Sequence, residues 1–105
     1  MYARVTLFEL DTIRTSPEQA LETFKERVLP ELRGQPGYEG LYVLTTPEGK
    51  GLLLSLWQTE AAAQAGVTGG FYDAQIAKVM MLLREPPGRD HYQVLFAEAQ
   101  AAAPA

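Results

Sequence analysis

The stretch Leu52-Leu53-Leu54-Ser55-Leu56-Trp57 constrains this chain more than any other. It is separated from a second β-prone run, Tyr38 to Thr45, by Thr46-Pro47-Glu48-Gly49-Lys50-Gly51, the local signature of a hairpin loop. Hairpin strands are antiparallel, and antiparallel sheets with one wet face alternate apolar and polar residues. This strand does not alternate: Leu52, Leu54 and Leu56 fall on one parity, Leu53 and Trp57 on the other. Both faces of its sheet must therefore be covered. The helices of a short chain can cover one face, and the other needs a partner.

At 105 residues the chain has the length of one domain, predicted over 1–97 and followed by an Ala-rich flexible tail over 98–105. Its hydrophobic fraction of 47% can fill a single core. A net charge of −4, without clustered Lys and Arg, argues against nucleic acid as a partner. No run approaches the roughly 18 apolar residues that span a bilayer, and Met1-Tyr2-Ala3-Arg4 opens a strand rather than a leader, so no membrane is expected and a cytoplasmic location is. With no cysteine, disulfides and thiolate sites are excluded. The lack of Asn and Cys fits a thermophile, and a GC-rich genome biases composition the same way.

Taken in order, Tyr2 to Leu10 reads as a strand with Ala3, Val5 and Leu7 on a dry face and Arg4, Thr6, Phe8 and Leu10 on a mixed one. Ser16-Pro17-Glu18-Gln19 is a helix start with an N-cap, Pro at the first position and Gln three residues on. Leu21, Phe24, Val28, Leu29 and Leu32 follow at helical spacing to Gly34, with Pro30 predicted to bend or shorten the last turn. After the hairpin, Thr59 caps a short helix over Glu60 to Ala65 that Gly66 is predicted to interrupt. A second helical piece carries Phe71, Tyr72, Ile76, Val79, Met80 and Leu83 and stops at Pro86-Pro87. His91 to Phe96 alternates as a last strand.

The order β-α-β-β-α-β predicts an α+β, ferredoxin-like fold: a four-stranded antiparallel sheet with both helices on one face. Two such sheets packed face to face across a two-fold axis would bury the remaining apolar face, giving a homodimer with the form of a dimeric α/β barrel.

The run from the proline-bearing helix end through Pro36-Gly37-Tyr38, the hairpin and the strand end LWQTEAAAQA to Phe71-Tyr72 resembles the antibiotic biosynthesis monooxygenase family of dimeric α/β barrels, over Met1 to Phe96. The resemblance implies a pocket between sheet and helices in each subunit. It also implies a monooxygenase-like activity without cofactor or metal on a small aromatic molecule, a phenol, quinol or anthrone. The alternative is a dimeric protein that binds an aromatic or haem-like ligand without turnover. Trp57 matches the pocket-lining tryptophan at the end of the family's third strand, and Tyr72 an aromatic of its second helical region. Trp57, Phe71, Tyr72 and Arg84 are thus the candidate substrate-binding residues, and His91 and Tyr72 the candidate bases. Each also has a plain structural role open to it: Trp57 and Tyr72 in the core, His91 at a surface or interface, and Arg4 and Arg84 either on an anionic group or paired with Glu. The family's oxygenases and haem degraders also use an asparagine, and the haem degraders a histidine on the helix after the tryptophan. This chain has no Asn, and 59–84 hold no His, which disfavours haem degradation.

Overall fold

In the computed structural model, which describes residues 1–98, the mixed face of the first strand turns inward and the dry face outward. Strand β1 (Tyr2–Glu9) lies between β3 (Lys50–Trp57) and β4 (Gly88–Gln93), and β2 (Tyr38–Thr45) completes an antiparallel sheet of order β2-β3-β1-β4. Helices α1 (Pro17–Arg27), α2 (Leu29–Arg33), α3 (Glu60–Thr68) and α4 (Phe71–Val79) make up the other layer, with a 3₁₀ turn over Met80–Leu82. This is the α+β, ferredoxin-like plan that the order of elements predicts.

The register sorts the side chains. Arg4, Thr6 and Phe8 of β1 share the helix-side face with Leu53, Ser55 and Trp57 of β3. The rows Val5–Leu54–Tyr42 and Leu7–Leu52–Leu44, running from β1 through β3 to β2, lie on the other face. Among the described residues nothing covers that face: Leu7 is 56% exposed, Tyr42 64%, Leu44 51% and Tyr92 53%.

Local chemistry explains the elements and their departures from expectation. Ser16 accepts from the Gln19 N–H while the Gln19 carboxamide oxygen accepts from the Ser16 N–H, a complete capping box. Pro30 has no N–H for the Glu26 carbonyl, so the helix breaks at Val28 and restarts as α2 with Pro30 in its first turn. Gly66 does not interrupt α3, which runs on to Thr68; its Cα packs beside Arg4 and Phe71, and tertiary contact overrides weak helix propensity. Gly37, in the Pro36-Gly37-Tyr38 turn, has φ of 81° and stands where a Cβ would come within 2.6 Å of the Ala62 Cβ, so only glycine lets β2 start against α3.

The last strand sits three residues earlier than the alternation predicted, at Gly88–Gln93. Its partner decides this: Gly88 to Gln93 pair in register with Leu7 to Tyr2 of β1, and the Val94 N–H donates to the Met1 carbonyl. Leu95 and Phe96 consequently stand 89% and 81% exposed. The predicted tail lies, beyond Glu98, outside the described residues.

Helix α1 has no buried residue. Its C-terminal end and α2 are fastened to α4 by polar groups: the Lys78 ammonium lies 2.9 Å from Glu31 and donates to the Arg27 carbonyl, while Gln75 donates to Glu31 at 2.7 Å. Beneath α1 the interior is open.

Candidate functional site

That opening is a cavity of about 120 Å³ between the sheet and α1, α2 and α4. Its wall is apolar except where Arg4, Thr6, Ser55, Tyr72 and Gln75 meet it, together with Thr45 at the rim. Arg4, Thr6, Ser55 and Gln75 are all buried, at 3 to 6% exposure, as is Tyr72. Polar groups placed so deeply in a small core need partners, because an unmet buried donor or acceptor costs about 1–3 kcal/mol.

Most of them have partners. The Tyr72 hydroxyl and Thr6 hydroxyl are 3.1 Å apart, the Trp57 indole N–H donates to the Ser55 hydroxyl at 2.9 Å, and the Arg4 Nη1 donates to the Ala63 carbonyl at 3.1 Å. The Arg4 guanidinium also lies against two rings, 4.9 Å from the Trp57 centroid and 5.0 Å from that of Tyr72. Such contacts favour a cation, yet none supplies a counter-charge. Among the described residues, no carboxylate comes within ion-pairing distance of Arg4. Arg89 stands 4.8 Å over the Tyr72 ring and adds positive charge. Burial pulls the Arg4 guanidinium below its ordinary pKa; Tyr72 resists that shift and Arg89 adds to it.

The sequence-predicted residues distribute unevenly around this centre. Phe71 and Tyr72 are on the cavity wall. Trp57, at 1% exposure, is not: it lies behind Arg4, with Leu32 and Ala63 around it and Tyr38 edge-on at 5.7 Å. Arg84 is away from the cavity, half-exposed and 3.4 Å from Glu9, which is the ion-pairing role open to it from the start. His91 is also off the wall. It is the register partner of Arg4, and its Nε2 is buried with no hydrogen-bond partner among the described residues. Thr6, Ser55 and Gln75 were not singled out from sequence. Ser55 carried a usable signal, as the one hydroxyl inside an otherwise apolar strand.

Burial lowers the His91 pKa from its usual 6.5, Arg4 and Arg89 lower it further, and the Ala63 carbonyl and Asp90 oppose them. A folded pKa below the unfolded one means that the unfolded chain takes up the proton more readily. The neutral imidazole's contribution is therefore complete above about pH 6.5 and lost as the pH falls through the folded pKa. Urea titrations at pH 7.5 and pH 5 should show the wild type losing stability relative to His91→Gln on acidification; parallel losses would show that His91 does not feel the two arginines.

Among solved structures, the same fold recurs. A candidate antibiotic biosynthesis monooxygenase from Nitrosomonas europaea superposes with a TM-score of 0.69 at 20% identity, over 91% of this chain and 100% of that one. A monooxygenase of Streptomyces coelicolor, crystallised with the ligand Nanaomycin D, gives 0.71 at 18% identity over 95% and 92% of the two chains. The fold is that of the antibiotic biosynthesis monooxygenases. SnoaB of Streptomyces nogalater, a cofactor-independent oxygenase, shares this monooxygenase fold with a TM-score of 0.72 at 11% identity, over 94% of this chain and 97% of its own. No family model and no curated protein matches the sequence.

Proposed function

We propose that the protein is a cofactor-independent monooxygenase of a small phenol or quinol, whose oxygen is bound as an anion by Arg4. The observation that carries this reading is the buried Arg4 guanidinium, without a carboxylate, at the edge of an otherwise apolar cavity. A buried charge without a partner costs several kcal/mol, and a ligand anion offsets that cost. The likeness in fold to SnoaB and to the Streptomyces coelicolor monooxygenase supports the reaction class.

In this reading Arg4 lowers the pKa of the bound phenol, and the Thr6–Tyr72 hydroxyl pair relays its proton out of the site and back to the peroxide anion formed later. The phenolate gives one electron to dioxygen, and the two radicals join at a ring carbon conjugated with the phenolic oxygen. Loss of water from the resulting peroxide leaves a quinone, so that phenol and dioxygen become quinone and water. The apolar wall keeps water from the intermediates. A second reading, as a non-catalytic binding protein, draws on one observation: the wall carries no Asp, Glu or His to serve as a stronger base.

The chromophoric probe 4-nitrophenol separates these readings. It should bind with its ionisation moved to lower pH, and dioxygen uptake should follow on a naphthol or quinol. Bound, ionised nitrophenol with no uptake on a panel of such substrates assigns the protein to the binding class, and absence of binding overturns both.

The reading also takes the protein as a homodimer, its uncovered sheet faces packed together as in other two-sheet structures. Leu54→Lys places an ammonium in the middle of that face, and sedimentation should then report one chain where the wild type shows two; an unchanged mass for both would place the interface elsewhere.

A further inference from the structure

The sheet lines the cavity with three rows of residues. Arg4 and Ser55 belong to the first, Thr6, Leu53 and Val43 to the second, and Phe8 and Thr45 to the third. In that third row Gly51 stands between Phe8 and Thr45 and is the register partner of both. The Phe8 ring takes the place that a side chain there would fill: a Cβ on Gly51 would fall 2.6 Å from the Phe8 Cε1, closer still to its Cζ, and 2.7 Å from the Leu44 carbonyl oxygen. Because residue 51 is glycine, a ring from β1 can lie across β3, and this ring is part of the cavity wall.

The volume decides what fits beside it. An apolar cavity of about 150 Å³ takes one benzene, and this one, at about 120 Å³, has room for about one ring. The Phe8 phenyl is itself a ring of that size. Its removal would free the space of a second ring next to the first, over Gly51, where no Cβ stands.

We infer that Phe8, laid over Gly51, is the specificity-determining residue of the site: it admits a phenol or quinol of one ring and rejects a naphthol, the fused two-ring molecule of the same chemistry. This inference rests on the phenol reading above and narrows its substrate class to single-ring phenols. Phe8 acts only through the space it fills, and the phenolic oxygen remains with Arg4.

Spectrophotometric titration with 4-nitrophenol and 4-nitro-1-naphthol, which present the same oxygen and differ by one fused ring, tests it. The wild type should bind the naphthol at least tenfold more weakly than the phenol, although the naphthol is the more apolar of the two. In Phe8→Ala the order should invert, with the naphthol roughly tenfold tighter than the phenol, because the added ring buries its carbons where the phenyl stood. Phe8→Leu keeps an apolar side chain at that place and preserves the test should the alanine variant fail to fold; it should move the ratio the same way by a smaller factor. Equal or tighter binding of the naphthol by the wild type overturns the size limit while leaving the phenol reading intact. A wild-type ratio that persists in the folded variants assigns the limit to another wall and overturns the role of Phe8. Failure of both probes to bind the wild type defeats the phenol reading along with it.

Discussion

Arg4→Met should leave the protein as stable as the wild type or up to about 2 kcal/mol more stable, while the affinity for 4-nitrophenolate falls roughly a hundredfold. The two changes share one cause. Arg4 is 3% exposed with no acid beside it, so its desolvation is only partly offset by the Ala63 carbonyl and the faces of Trp57 and Tyr72. Methionine fills similar space without a charge. A guanidinium retained for packing would behave in the opposite way: its loss would destabilise the fold by several kcal/mol and spare the ligand. Thermal unfolding and a titration on one sample decide between the two.

Trp57→Ala should cost about 3–5 kcal/mol, the range for removing a large buried aromatic. In a domain of this size that lowers the unfolding midpoint by roughly 15 °C or more. Trp57 is the largest fully buried side chain, and it supports Arg4, Tyr38 and Leu32 at once. Trp57→Phe keeps the apolar platform but leaves Ser55 without its indole donor, for a cost of about 1–3 kcal/mol. Because Trp57 stands behind Arg4 rather than on the cavity wall, Trp57→Phe should bind 4-nitrophenol within a few-fold of wild type. A loss as large as that of Arg4→Met would put the indole against the ligand.

The order and type of the elements were legible because their signals are local: the capping box at Ser16, the hairpin turn at Gly49, and the apolar run from Leu52. The position of β4 was not, because alternation over His91 to Phe96 is a local signal, whereas the bounds of the strand are set by its register with Tyr2 to Leu7 of β1. Helical spacing put Tyr72 and Phe71 on an apolar stripe and the family resemblance made them site candidates; both lie on the cavity wall. The centrality of Arg4 was hidden for a physical reason. On one strand it reads as an ordinary charged residue, and its meaning comes from what the fold fails to bring near it, a carboxylate, which depends on every other element. His91 and Arg84 drew notice by residue type, and neither is on the wall.

The polar clasp that fastens α1 over an unfilled interior links two properties usually treated separately. In the proposed reading the free chain folds with part of its core missing, and a bound ligand would supply that part. Ligand contacts and fold stability are then drawn from the same surface, so saturation raises stability as the logarithm of ligand concentration over its dissociation constant. α1 buries no residue fully, so its amides should exchange with solvent before those of β1 and β3, and occupancy should slow that exchange.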